Sequence, residues 1–190
     1  MPIAIKNWYY FLQIVTFEEV NCFTINYYFI LNTKTYNQAV KKYSGRLYAY
    51  ALKVIVNEQI AQDLVQDVFL KLWENRNKVA EIKVKSWLFT SMHNAAMNIL
   101  KSGNYKNIAS EELTDNLGEV AHTFELQDLI THNLKQLPPV QQSILLLRDL
   151  EGYNYQEIGE LLQLSEAKVK VYLFRARQKM KQLIKSQQVL

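Results

Sequence analysis

Residues 154–185 read NYQEIGELLQLSEAKVKVYLFRARQKMKQLIK, two short amphipathic stretches broken by a tight turn, the second loaded with cations. In the first stretch Tyr155, Ile158, Leu161 and Leu162 recur at helical steps. Gln163 and Leu164 mark the turn. Ser165 stands at the N-cap position, where its hydroxyl can accept the free backbone N–H groups of the following turn. The second stretch carries Val169, Leu173, Ala176, Met180 and Leu183 as its apolar stripe. From Lys168 through Lys185 there are seven Lys or Arg and no Asp or Glu. A short helix, a tight turn and a basic second helix is the layout that seats one helix in the major groove of DNA.

A basic amphipathic helix can also be no more than a solvated face. A solvated face, however, more often mixes Glu with its Lys for i,i+4 support. At about 100° per residue, Ala167, Lys168, Val171, Phe174, Arg175 and Gln178 project opposite the apolar stripe, flanked by Lys170, Arg177 and Lys181. Small, polar and cationic groups arranged in this way suit base edges at the centre and phosphates at the sides.

The 190 residues suffice for one domain or two small ones, and a hydrophobic share of 49% allows a proper core. Net charge is only +4 but unevenly spread. Residues 76–108 hold six basic groups against one acid, Glu81, whereas residues 109–124 hold Glu111, Glu112, Asp115 and Glu119 and no Lys or Arg. A basic block, an acidic bridge and a second basic block suggest two nucleic-acid-facing modules with a solvated linker between them. The sole cysteine, Cys22, excludes an internal disulfide and a cysteine-cluster metal site. His93, His122 and His132 have no ligand spacing, so neither a metal nor a cofactor is expected.

From Tyr36 the helical period is clear. Tyr36, Ala39, Val40, Tyr43, Leu47, Tyr50, Ala51, Val54 and Ile55 form one stripe, and Asn57 and Glu58 break it. A second helix to about Asn75 turns Ala61, Leu64, Val65, Val68, Phe69 and Leu72 inward, with Gln62, Asp63, Gln66, Asp67, Leu70, Lys71 and Glu74 outward. A third, from Val84 to Lys101, is expected to bury Trp87, Leu88, Met92, Ala95, Ala96 and Ile99 and to expose Lys85, His93, Asn94, Asn98 and Lys101. Gly103 is a suitable left-handed C-cap for it. Further on, Leu126, Leu129, Ile130, Leu134 and Leu137 make a helix stopped by Pro138 and Pro139. Val140 to Leu150 makes another, closed by Gly152. No strand pattern competes over residues 36–102, and the expectation is an all-α protein of two small helical domains joined by a flexible linker.

The stretch DLVQDVFLKLWENR at 63–76, followed by KSWLFTSMHNAAMNILK at 85–101, resembles the promoter-melting domain of bacterial alternative sigma factors. LPPVQQSILLLRDLEGYNYQEIGELLQLSEAKVKVYLFRARQKMKQL at 137–183 is similar to their second DNA-binding domain, a helix-turn-helix of the winged-helix-like superfamily. With only these two, the resemblance is to the extracytoplasmic-function group. It divides the chain into an N-terminal extension over 1–32, a promoter-melting and core-polymerase-binding domain over 33–101, an acidic linker over 102–123 and the helix-turn-helix domain over 124–190.

What the resemblance implies is a factor that binds core RNA polymerase and directs it to promoter DNA. Asp63, Gln66, Asp67 and Leu70 correspond to the surface docking on the polymerase. Lys83, Lys85, His93, Asn94, Asn98 and Lys101 correspond to the segment reading the minus-ten element, cations for phosphates and amides for base edges. The helix from Glu166 corresponds to the reader of the minus-thirty-five element. Its expected contacts are Ala167, Lys168, Val171 and Arg175, with Lys170 and Arg177 holding phosphates. There are departures. The family often has arginine where His93 stands, and a neutral imidazole there weakens phosphate attraction near pH 7. The turn glycine is Gln163, a common threonine is Lys168, and Tyr172 replaces a frequent arginine. These bear on the DNA sequence preferred. An anti-sigma protein closing the two domains on itself is a further implied partner.

Residues 1–32 lie outside the shared pattern. They are rich in aromatic and β-branched residues, make a poor signal peptide, and contain too short an apolar run to span a bilayer. The expectation is an upstream translation with the true start near Leu31, which intact-mass measurement of the native protein decides. A cytoplasmic protein without a small-molecule substrate follows. Two rivals are a helix-turn-helix regulator acting without polymerase, which leaves the Asp63–Trp73 helix idle, and an enzyme. The second lacks a glycine-rich phosphate loop or a nucleophile–base pair.

Overall fold

A computed structural model of the chain describes residues 31–102 and 123–187. Every regular element among them is helical, so the protein is all-α. The proposed extension up to Ile30, the Gly103 cap and the acidic stretch to His122 lie outside the described residues.

Three helices build the N-terminal module. Helix α1 spans Thr33–Ile55 and begins at Asn32, whose Oδ1 accepts from the Thr35 N–H at 2.9 Å. It buries Ala39, Leu47, Tyr50, Ala51, Val54 and Ile55 along one stripe and ends at Val56, which turns left-handed at φ 63°. Asn57 then caps α2, Glu58–Glu74, by accepting from the Ile60 N–H at 2.8 Å. Helix α2 turns Ala61, Leu64, Val68, Phe69 and Leu72 into the core. A 3-10 turn at Glu81–Lys83 leads into α3, Val84–Lys101. The Tyr36 hydroxyl donates to the Phe69 carbonyl at 3.2 Å while its ring packs edge-on against Trp73, pinning the start of α1 to α2.

The buried stripe of α3 is rotated from the expected one. Phe89 and His93 take deep positions with Val84, Leu88, Met92 and Ala96, and Trp87, Ala95 and Ile99 are half-buried. The cause is a second packing partner. Phe89 meets Tyr50 of α1 edge-on at 5.9 Å on one side and Tyr153 of the C-terminal module at 5.8 Å on the other.

The C-terminal module comprises α4 (Thr123–Lys135), α5 (Pro139–Leu145), α6 (Tyr155–Leu162) and α7 (Glu166–Gln187). Pro139 opens α5 at the first helical turn, where the N–H it lacks would have had no partner. The helix expected over Val140–Leu150 changes pitch at its middle: Leu146–Leu150 is a π-helical turn, closed by the Glu151 N–H donating to the Leu146 carbonyl at 3.1 Å. Gly152 follows at φ +74°, a conformation that favours glycine. The wide turn carries Glu151 and Tyr153 round to face the N-terminal module. Buried residues of both modules form one continuous cluster.

Candidate nucleic-acid interface

The helix-turn-helix is built by local backbone chemistry. Asn154 Oδ1 accepts from the Glu157 N–H at 2.9 Å, and the Asn154 N–H donates to Glu157 Oε2 at 2.7 Å, a complete capping box at the start of α6. Gln163 ends α6 in the left-handed conformation at φ 55°, ψ 44°, as the turn requires of a position commonly held by glycine. The Leu164 N–H donates back to the Gly159 carbonyl at 2.9 Å. This brings the turn so close that a Cβ on Gly159 would lie 2.7 Å from the Leu164 oxygen. Glycine is thus required inside α6. Ser165 Oγ accepts from the Lys168 N–H at 3.4 Å, a long bond at the expected cap of α7.

Helix α7 buries Val169, Leu173 and Ala176 against the module. Ala167, Lys168, Lys170, Val171, Arg175 and Arg177 are all exposed. Phe174, 63% exposed, and Val171, 46% exposed, place apolar surface between the cations. Two of the three flanking cations, Lys170 and Arg177, have intramolecular partners. Arg177 Nη2 meets Asp149 Oδ1 at 2.5 Å, and Lys170 Nζ meets Glu166 Oε1 at 2.6 Å. Lys168 and Arg175 form no ion pair among the described residues, which leaves them open to an external anion.

The residues assigned to the minus-ten element divide. Lys83, Asn94, Asn98 and Lys101 are exposed. Lys85 is half-buried. Its ammonium donates to the Glu151 carbonyl at 3.1 Å and lies 4.0 Å from the centre of the Tyr153 ring. Burial, aided by the neighbouring Arg46 guanidinium, pushes its pKa down. His93 corrects the expectation of an exposed side chain: it is 7% exposed. Its Nδ1 lies 3.2 Å from the Tyr50 hydroxyl and 3.1 Å from Ser143 Oγ of α5. Burial, with a smaller push from the Lys101 charge, lowers its pKa to about 4, so the ring is neutral at physiological pH. The helical period alone projected His93 outward because the face it occupies is covered by a distant segment.

Asp63, Gln66, Asp67 and Leu70 share the outer face of α2 and are exposed, Leu70 by 56%. Sequence reasoning missed the contacts across the two modules. Arg46 on α1 grips Glu151 through Nη2–Oε2 at 2.5 Å and Nε–Oε1 at 3.4 Å, and the Glu151 side chain is only 2% exposed. Gln142 Nε2 donates to the Lys53 carbonyl at 2.6 Å. The available signal was Gln142 and Ser143 standing at the head of the apolar run ILLL, where buried polar groups need partners. Among the described residues no group of His, Cys, Asp and Glu is placed to hold a metal, and no helix is long and apolar enough to cross a membrane.

A helix-turn-helix with an open basic face, joined in one chain to a three-helix module bearing a polar, partly acidic flank, defines a two-module helical transcription protein. The sigma-70 region 2 family matches residues 39–104 and the sigma-70 region 4 family matches residues 127–180. The chain belongs to the sigma-70 family, in its extracytoplasmic-function group. It is 31% identical over 133 residues to the RNA polymerase sigma factor SigZ of Bacillus subtilis, covering 68% of this chain and 76% of that protein. To the extracytoplasmic-function sigma factor SigM of the same organism it is 29% identical over 154 residues, covering 78% of this chain and 94% of that one. Among solved structures it resembles the sigma factor RpoE, in complex with the anti-sigma factor NepR, from Bartonella quintana. There the TM-score is 0.66 at 22% identity, over 80% of this chain and 98% of that one. CnrH, in complex with the cytosolic domain of CnrY, gives a TM-score of 0.64 at 20% identity, over 82% and 90%.

Proposed function

We propose that this sigma factor divides its work between the surfaces described above. The outer face of α2, with Asp63, Gln66, Asp67 and Leu70, docks on core RNA polymerase: a polar acidic rim around one exposed leucine fits a basic helical partner with an apolar centre. Helix α7 enters the major groove of the minus-thirty-five element, with Lys168 and Arg175 reaching base edges beside Ala167 and Val171, and Lys170 and Arg177 steadying phosphates. Lys83, Lys85, His93, Asn94, Asn98 and Lys101 receive the minus-ten strand, Lys85 and His93 only once the modules part. The observation that carries this reading is the pair of free cations, Lys168 and Arg175, on the exposed side of a helix whose other side buries Val169, Leu173 and Ala176.

The domain division at 33–101, 102–123 and 124–190, with 1–32 as an extension, belongs to this reading. So do a cytoplasmic location and the lack of an enzymatic role. An anti-sigma partner is inferred from the similar sigma factor RpoE, whose structure contains the anti-sigma factor NepR. Run-off transcription with core polymerase and genomic fragments tests the whole: start-site selection dependent on this chain supports it, and a regulator that binds DNA yet leaves core enzyme unprogrammed replaces it.

A further inference from the structure

The cations of α7 continue well beyond the residues that face the minus-thirty-five element. The helix runs to Gln187, whereas the last contact assigned to that element is Arg177. At about 100° per residue the cations fall into two rows, Lys168, Arg175 and Lys179 on one side and Lys170, Arg177 and Lys181 on the other. Both rows step by seven and then four residues. They stand roughly 160° apart across the outer side of the helix. Between them the strip is uncharged at Ala167, Val171, Phe174, Gln178 and Gln182, until Lys185 enters it. Lys179, Lys181 and Lys185 are exposed and form no ion pair among the described residues, and no Asp or Glu follows Glu166 in the sequence.

A row of lysines is most simply a solvated face, and Lys185, in the last turn, also suits the negative end of the helix dipole. That account does not reach the others. Lys179 and Lys181 precede the last turn, beyond the range over which the dipole acts. Arg175 with Lys179, Arg177 with Lys181, and Lys181 with Lys185 are like-charged pairs at i,i+4, and each weakens a helix standing alone in water. A polyanion laid alongside turns the same charges into an attraction. Reach favours duplex DNA as that polyanion. Lys179 to Lys185 stand about 20–29 Å along the axis from Glu166 at about 1.5 Å per residue, whereas the major groove is about 12 Å wide and about 8.5 Å deep. A helix that enters the groove by its first turns carries these three past the base edges, to the level of the neighbouring backbone.

We propose that Lys179, Lys181 and Lys185 grip phosphates of the duplex flanking the minus-thirty-five element, a sequence-independent anchor beside the sequence-reading turns of α7. The inference rests on the placement of α7 in the groove of that element. Lys179 continues the side of Lys168 and Arg175, and Lys181 continues the side of Lys170 and Arg177, so the two rows address the two backbones that border the groove. Lys185, on the strip between them, meets backbone where the helix has left the groove. Lys170 and Arg177 are held by Glu166 and Asp149, but these three have no carboxylate to give up on binding. The flank is held by charge alone, and its contribution falls steeply with salt.

The test uses holoenzyme assembled with the full chain as wild type, as the triple variant Lys179→Gln, Lys181→Gln and Lys185→Gln, or with the same three changed to Arg. The probes are promoter duplexes containing the minus-thirty-five element that wild-type holoenzyme selects, either unmodified or with neutral methylphosphonate linkages along one flank or the other. On unmodified DNA the glutamine variant is expected to bind at least tenfold more weakly at low salt. Its log–log salt dependence should be shallower by up to about 2.7 units, three contacts at about 0.9 each. Neutral linkages on one of the two flanks should weaken the wild type and the arginine variant severalfold and leave the glutamine variant unchanged. Their effect on the wild type keeps the test independent of how the glutamine variant folds. Equal salt slopes, or neutral linkages that act alike on all three proteins, overturn the anchor. So does a glutamine variant that binds DNA normally yet loses transcription, which assigns the lysines to an acidic protein instead. Wild-type holoenzyme that selects no start site overturns the sigma assignment itself, so the two failures are distinct.

Discussion

Arg46 and Glu151, 105 residues apart in sequence, close a two-pronged ion pair across the modules, with the carboxylate buried and the guanidinium 40% exposed on its side chain. Removing the arginine strands a buried charge. With one partner half in water the loss falls below the full value of a buried pair, at about 2 kcal/mol. In a double-mutant cycle of Arg46→Ala and Glu151→Gln, thermal unfolding is expected to show a coupling energy above roughly 1 kcal/mol. Additive effects contradict the pairing.

His93 makes the packing of the two modules sensitive to acid. Its folded pKa of about 4 lies below the ordinary 6.5, so the folded state binds the proton less readily than the unfolded chain. The stabilisation is fully present above pH 6.5 and is lost as pH falls from there towards 4. By pH 5 about 2 kcal/mol should be gone. Denaturant melts at pH 7.5 and 5 measure this. His93→Gln is expected to flatten the dependence over that window, and an unaltered slope in the variant rules out the assignment to this ring.

Gly159 tolerates no side chain. Its Cβ would sit 2.7 Å from a backbone oxygen, which cannot rotate away as a flexible side chain could. Gly159→Ala should therefore force α6 and α7 apart, costing about 1–3 kcal/mol despite the better helix propensity of alanine. Thermal melting checks the loss. Any gain in stability means that the turn is looser than described.

Arg177 is restrained by Asp149, and the restraint has a readable cost in DNA affinity. Asp149→Asn removes a negative charge beside α7 and frees the guanidinium. Holoenzyme carrying it is expected to bind promoter fragments severalfold tighter at low salt, with the log–log salt dependence steeper by up to about one unit. Titration of affinity against potassium chloride decides it. An unchanged slope places Arg177 away from the phosphates.

Val171 and Phe174 put apolar surface on the face of α7 proposed to enter the groove, and the apolar feature of a base edge in the major groove is the thymine methyl. Replacing thymine by deoxyuridine, one position at a time, in the selected minus-thirty-five element should weaken holoenzyme binding at one position or more. Phe174→Ala together with Val171→Ala should abolish that sensitivity. Insensitivity of the wild type to every replacement shows that these side chains do not read methyl groups.

Local features were legible in the sequence wherever a short segment decides its own form. Asn57 and Glu58 mark the break between α1 and α2. Gln163 takes the left-handed turn, and Val169, Leu173 and Ala176 face inward as their spacing predicts. What escaped depends on residues far apart. The depth of Phe89 and His93 is set by Tyr153 and Ser143, 64 and 50 positions later in the numbering. The π-helical turn over LLRDL has no periodic signature, because one widened turn leaves the apolar run LLL intact. The exposure of the outer faces of α2 and α7 was readable because each is one face of one helix, whereas the patch around Arg46, Lys85 and Glu151 draws on three segments.

The capping box at Asn154, the left-handed Gln163 and the tight approach at Gly159 fix the angle between α6 and α7 before any ligand arrives. Duplex recognition by this half is then lock-and-key, with little ordering entropy to lose on the protein side. Discrimination between genes then falls to complementarity at the groove rather than to any folding of the turn.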